Sequence, residues 1–387
     1  MSATTQSIYL DDDLLAVQRQ TEQFVANEVR PFADAWELEG SVPREVIRKL
    51  GELGFLGLRH PEAYGGLGKG ALASAVFAEA LGASTYGGFE VTVLVHTDMA
   101  SPHLVHSGND EQQARYLKRI VTGECLTAIA VTESVAGSDV AGIRTRAKRT
   151  AGPGSDWVLD GSKIFITNGV AAGLGIRAAR PDPDDARGLS MFLVEAGTPG
   201  LRVSRKLDKT GWRSSDTAEL AFDGCRVPAA NLLGTEHRGF YEIMRNFQNE
   251  RLVLAGMAVG AAQKALDLTY EWTQGRTAFG APLFENPTIR QRLAMQQAKT
   301  DAARQLLYHC AWRMEQGADA TREVSELKAF ACELVNQVLY DCVQFHGGQG
   351  YMRETAVERM ARDARVMTIG GGATEVMLEE VAKRVGR

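Results

Sequence analysis

Cysteine is scarce in this chain. Its 387 residues include five, Cys125, Cys225, Cys310, Cys332 and Cys342, an odd number with no C-x-x-C pair. That argues against a disulfide framework and a structural zinc centre, and predicts buried free thiols. An excess of positive charge is also missing. Lys+Arg number 43 against 48 Asp+Glu, a net charge of -5, the opposite of what a nucleic-acid wrapper carries. There is no run of about 18 apolar residues, so no membrane-spanning helix is expected. Met1 to Asp13 is polar and then acidic, with neither the apolar segment of a signal peptide nor the arginines of a transit peptide. The expectation is a cytoplasmic protein. Several catalytic motifs are absent as well. None of the seven histidines has a Glu three residues before it, which removes a Glu-x-x-His di-iron site. There is no H-E-x-x-H, no G-x-S-x-G, no Walker A loop and no G-x-G-x-x-G joining a strand to a helix. Gly65-Gly-Leu-Gly-Lys-Gly70 imitates a phosphate loop but lacks the Ser/Thr and the preceding strand, so it reads as a turn.

What is present is ordinary globular composition, 44% hydrophobic and 24% charged, in a length suited to two or three domains. Residues 11 to about 120 read as helical, with stripes at Leu14–Val29 and Val46–Leu56 and a break at Pro31. Short β-type runs follow: Leu126–Thr132, Trp157–Leu159, Ile164–Thr167, Leu189–Val194, Leu201–Val203 and Ala218–Phe222. Asp160-Gly161, Asn168-Gly169 and Gly152-Pro-Gly154 are the turn signals between them. Helices return at Arg251–Gln274, Pro287–Gln316, Ser325–Phe345 and Thr374–Val385. The expected fold is α+β and mainly α: a helical domain over 1–124, a middle antiparallel β-barrel or sandwich domain over 125–236, and a C-terminal helical-bundle domain over 237–387.

Six segments carry a more specific signal. They are Thr132-Glu-Ser-Val-Ala-Gly-Ser-Asp139 with Ala141-Gly-Ile-Arg144, Phe165-Ile-Thr-Asn-Gly169, Gly211-Trp-Arg-Ser-Ser-Asp216, Arg276-Thr-Ala-Phe-Gly280, Gln344-Phe-His-Gly-Gly348 and Gly370-Gly-Gly-Ala-Thr-Glu375. Alone, Ala136–Asp139 is an ordinary turn and Phe165–Thr167 a plain strand. In this order and spacing the set resembles the acyl-CoA dehydrogenase family, and Pro61–Gly68 and Gly108–Leu117 fit its N-terminal domain. The resemblance implies FAD. Ile129, Val131, Thr132, Gly137 and Ser138 would hold flavin and diphosphate, where glycine permits close backbone approach. Phe165 stands where the family most often has Trp flanking the isoalloxazine. Ile166 would lie beside it, Thr167 would donate near the flavin N5, and Thr374 and Glu375 would add contacts. Arg276, Phe279, Gln344, Gly347 and Gly348 would reach the FAD of a neighbouring subunit, Arg276 with a charge-assisted bond. The implied partners are an acyl-CoA substrate, an electron-transfer flavoprotein, and further copies of the chain in a homotetramer built as a dimer of dimers.

The implied reaction takes a proton from the carbon α to a thioester carbonyl and a hydride from the β carbon. It needs a carboxylate facing the α carbon, with its pKa moved toward neutrality by desolvation. In most of the family that Glu lies before the last helix, and alignment on Gly372 and Glu375 puts Gly371 there. In the isovaleryl- and long-chain-type branches the base precedes an Arg at the start of the first C-terminal helix. Gln248-Asn-Glu-Arg251 places Glu250 at that position. As a bare residue, Glu250 would be an acid favoured by a helix N-terminus. Ser138, Gln248, Arg251, Gly371 and Gly372 would contact substrate. The Gly371 N–H would join an oxyanion hole, and its missing side chain would leave space beside the α carbon. Pro287 and Ala373 replace a Gln and a Thr that contact FAD in many relatives. Competing readings are a flavin monooxygenase or oxidase, an acyl-carrier-protein dehydrogenase, and a non-catalytic acyl-CoA or flavin-binding protein.

Overall fold

The computed structural model describes residues 7–152, 155–181, 185 and 188–385. Residues 1–6 and the Pro153-Gly154 half of one turn signal lie outside the described residues. The N-terminal domain is helical: α1 (Asp12–Phe24), α2 (Ala33–Glu39), α3 (Arg44–Glu52), α4 (Ala71–Gly82), α5 (Gly87–Leu94), α6 (Ser101–Ser107) and α7 (Asp110–Val121). Local chemistry sets their ends. The Asp11 carboxylate accepts the Leu14 N–H at 2.9 Å and starts α1. Asn109 and Gln112 cap α7 reciprocally, each side chain bonded to the other's backbone N–H. Past α1 the chain runs through a π-helical turn, Val25–Val29, and is turned at Pro31. A second π-helical turn, Val95–Ala100, joins α5 to α6.

The middle domain holds β1 (Thr127–Ala130), β2 (Arg146–Arg149), β3 (Trp157–Thr167), β4 (Leu174–Ala179), β5 (Ser190–Glu195), β6 (Leu201–Lys206), β7 (Thr217–Val227) and β8 (Leu232–Leu233). They form two four-stranded sheets, ordered β1-β4-β5-β8 and β2-β3-β7-β6. Trp157, Phe192, Leu220 and Phe222 belong to a core drawn from both sheets. This is a sandwich; no closed barrel occurs among the described residues. Nor is it wholly antiparallel, since β1 pairs parallel with β4, Ile129 opposite Ile176. The two runs expected at Trp157–Leu159 and Ile164–Thr167 are one strand. Asp160-Gly161 is not a turn, because Gly161 at φ +148° absorbs a register shift against β7 inside the ladder.

The C-terminal domain is built on α8 (Gly239–Gly275), followed by a short hairpin of β9 (Thr277–Ala278) and β10 (Ala281–Pro282). Then come α9 (Pro287–Glu315), α10 (Thr321–His346), α11 (Ala356–Ala364) and α12 (Thr374–Ala382). Helix α8 packs against α4, α9 and α10, so one bundle joins both helical domains. By length and composition α8 could cross a membrane, against the sequence expectation, but 78% of its most apolar window is buried inside the fold. All five cysteines are free and buried.

Candidate active site

Two chain segments meet at the end of β1 and along β3. The loop after β1 is folded around Glu133, whose carboxylate accepts from the Arg144 N–H (2.7 Å), the Thr145 N–H (3.0 Å) and the Thr145 hydroxyl (2.6 Å). The fully buried Lys163 of β3 donates to Glu133 Oε1 at 2.8 Å and to the Val131 carbonyl at 2.9 Å. Burial pushes Glu133 up, but the Lys163 charge and these donors outweigh it and hold the carboxyl below its ordinary value. Burial brings Lys163 down to about 8 against the pull of Glu133. Lys163 and these donors thus favour the ionised Glu133 carboxylate.

This clamp fixes the exposed Gly137-Ser138 turn and the half-buried Ile129, Val131 and Thr132 relative to β3. Beside it, the ladder between β3 and β7 shifts register from Lys163 to Ile166. Ile164 donates instead to the Thr132 carbonyl at 3.0 Å. Phe165 takes φ +62° and stands 65% exposed. A bulky residue at positive φ is strained, and a bulge that re-aims a side chain is common beside functional sites. Ile166 is buried and Thr167 half-buried at the strand end.

A second cluster lies on α8. Glu250 is not at a helix start: α8 begins at Gly239, 11 residues earlier, about three turns away. The side chain is buried, and burial pushes its carboxyl up to about 7, against an Asn246 hydrogen bond and the Arg251 charge. Asn246 Nδ2 lies 3.1 Å from Glu250 Oε1. One turn further, Leu254 fills the place where a side chain at residue 371 would begin. A Cβ on Gly371, at φ +64°, would overlap the Leu254 Cδ1 methyl. The missing side chain is therefore packed over, which corrects the expectation of open space there. Gly372 is held by its carbonyl, which accepts from Lys328 of α10. Arg251 lies over the Phe247 ring at 5.6 Å and has an unpartnered Nε. Gln248 is turned toward α10, donating to the Thr321 hydroxyl at 2.5 Å.

Thr374 and Glu375 line a cavity of about 320 Å³ with Glu333, Asn336, Arg365, Thr368, Ile369 and Ala373. Arg276, Gln344, Gly347 and Gly348 are exposed, and Phe279 projects wholly into solvent from the tip of the β9–β10 hairpin.

Three family models cover the chain in order. The acyl-CoA dehydrogenase N-terminal domain matches residues 11–124, the middle domain 128–225 and the C-terminal domain 237–386. This chain belongs to the acyl-CoA dehydrogenase family. It is 38% identical over 373 residues to the mitochondrial long-chain specific acyl-CoA dehydrogenase of Rattus norvegicus, covering 95% of this chain and 85% of that protein. The crystal structure of acyl-CoA dehydrogenase from Geobacillus kaustophilus superposes with a TM-score of 0.94 at 37% identity, over 98% of this chain and 100% of that one. A glutaryl-CoA dehydrogenase from Mycobacterium smegmatis in complex with FADH2 gives 0.91 at 28% identity, over 97% and 95%.

As a member of this family the chain is an oxidoreductase with FAD as its cofactor, and the first cluster suits such a group. It offers an exposed glycine turn at a strand end, an aromatic held out by a bulge, and an internal ion pair that fixes the two without using either as a ligand. Sequence reading missed that pair. Glu133 lies inside the quoted signature, and Lys163 is a charged residue in an otherwise strand-like run, which was the available signal. Asn246 was missed too, four residues before Glu250 on one helix face.

Proposed function

We propose that this chain oxidises an acyl-CoA thioester to the trans-2-enoyl-CoA, with Glu250 as the base. The observation that carries this reading is a carboxyl buried in α8 and held near neutrality, while residue 371 has no side chain and its place is packed by Leu254. Bound FAD supplies the acceptor for the β-hydride. Glu250 takes the α proton, and desolvation makes its carboxylate a stronger base than an exposed one. The Gly371 N–H is offered to the thioester oxygen and stabilises the enolate-like charge there. Lys328 fixes this loop through the Gly372 carbonyl, so the donor needs no reorganisation. Val131, Thr132, Gly137, Ser138, Phe165 and Thr167 hold the cofactor, with Thr374 and Glu375 at their cavity. Arg276, Phe279, Gln344, Gly347 and Gly348 serve a neighbouring copy in a homotetramer. Their exposure, and that of Phe279 above all, supports this assignment. Electrons leave to an electron-transfer flavoprotein.

The test is proton exchange. Holoprotein in D2O should wash deuterium into the α carbon of a bound acyl-CoA, and Glu250→Gln should not while keeping its FAD. Undiminished exchange in Glu250→Gln would remove Glu250 from the role.

A further inference from the structure

The base does not stand alone on its helix. Asn246 and Asn249 flank it, each only 4% exposed, and both reach across to the π-helical turn Val95–Ala100 of the N-terminal domain. Asn246 Nδ2 lies 3.0 Å from the Asp98 carbonyl and 3.1 Å from the Met99 carbonyl. Asn249 Nδ2 lies 2.9 Å from the same Asp98 carbonyl. Four residues on stands Pro102, which has no N–H to offer that carbonyl in the α-helical pattern. Both asparagine amides lie within hydrogen-bonding distance of it.

Asn246 thus meets three acceptors, the Asp98 and Met99 carbonyls and Glu250 Oε1 at 3.1 Å, with two amide hydrogens. One is committed to Asp98. The other has two claimants, one of which changes charge during turnover. We propose that Asn246 is the positioning residue of the base: anchored on the Asp98 carbonyl, it holds the Glu250 carboxylate, and its second N–H passes from Glu250 to Met99 as the base gains the substrate's proton. This rests on Glu250 being the base. The hydrogen bond to a carboxylate is the stronger one, so the ionised base claims the N–H. Once protonated, Glu250 is a weak acceptor and the Met99 carbonyl takes it back. The Cα–H bond that breaks and the carboxyl O–H bond that forms belong to the proton transfer; at Asn246 only the hydrogen bond changes partner.

Other charges nearby are engaged elsewhere or act weakly. Arg251 adjoins Glu250 on α8 and favours its charged form. The Asp98 carboxylate faces α8 but accepts from Ser74 at 2.7 Å and Asn249 at 3.2 Å. Arg59 is turned to the Asn249 side-chain oxygen, and Lys328 to Gly372.

The test titrates Glu250 in the FAD-loaded protein by infrared difference spectroscopy, identifying its protonated carboxyl band as the one lost in Glu250→Gln. Flavin bleaching by a panel of saturated acyl-CoAs is followed across the same pH range. Asn246→Ala should move the Glu250 titration, and the acid limb of bleaching, upward by about one pH unit. Asn246→Ser keeps a donor and should move them less, and it serves if the alanine variant fails to fold. Asn249→Ala loses the same anchor but no bond to Glu250, and should lower thermal stability with the titration unmoved. An unmoved titration in both Asn246 variants, or an equal shift in Asn249→Ala, overturns the proposal. Bleaching that survives Glu250→Gln overturns the assignment of the base, while the infrared titration still reports whether Asn246 governs Glu250.

Discussion

Burial of a carboxyl has two consequences that can be read separately at Glu250. Its pKa is raised from the ordinary glutamate value to about 7. The unfolded chain ionises first, so burial subtracts stability as pH rises toward 7, and the full cost of roughly 3 kcal/mol persists above it. Glu250→Gln should therefore raise the melting temperature at pH 8 by a few degrees while abolishing turnover, checked by calorimetry beside an activity assay. Activity of the parent should fall as pH drops through about 7, because only the ionised base accepts a proton. Lys163→Met strands Glu133 as an unpaired buried charge and should cost about 3–5 kcal/mol. The Glu133→Gln/Lys163→Met double variant should recover most of that stability but not FAD affinity, measured by flavin fluorescence. Arg177 is a different case: fully enclosed in β4, brought down to about 10 by burial, with Nε and Nη1 lacking partners. No chemistry described above uses it, and Arg177→Met should raise stability by about 1–4 kcal/mol in denaturant unfolding. Glu250 was singled out by the family position that Gln248-Asn-Glu-Arg251 matches, and the structure buries it there. Lys163 and Arg177 were not singled out, because charge in a one-dimensional pattern reads as exposed until a partner strand covers it.

At the scale of elements, helices carried their own evidence. The apolar stripes over α1 and α3 are local, so those helices followed from spacing. The strands did less well, because a bulge is a property of two strands together. Gly161 and Phe165 both occupy positive φ within β3, and only the register against β7 shows that the first is not a turn and that the second points away from the ladder. The close contact of α4 with α8 was equally hidden. Gly260 sits so near the Glu79 carbonyl that a Cβ would overlap it. Gly260→Ala improves helix propensity by about 1 kcal/mol. The overlap should still win, for a net loss of stability measured by thermal unfolding. Full retention would mean that α4 and α8 slide apart easily.

The whole molecule is joined where the three domains touch. The Asp363 carboxylate of α11 accepts the Gly87 N–H of α5 at 3.0 Å and the Trp212 N–H at 2.6 Å, so one side chain ties all three domains. Burial, then the Glu37 charge, pushes it up to about 7. Asp363→Ala should lower the melting temperature and weaken FAD retention together, since the sites lie on domains it connects. Under the assignment of the β9–β10 hairpin to a neighbouring copy, Arg276→Glu with Phe279→Ser should release FAD and reduce the mass seen by light scattering. Neither side chain supports the fold of its own chain. Whether Glu250 is the base of an acyl-CoA oxidation is decided by anaerobic titration of the purified yellow protein with a panel of acyl-CoAs. It follows the oxidised flavin band near about 450 nm, a general flavin property. At least one chain class should bleach the parent protein, and none should bleach Glu250→Gln. A parent protein that no acyl-CoA bleaches, or a Glu250→Gln variant that bleaches as fast as its parent, would contradict that assignment.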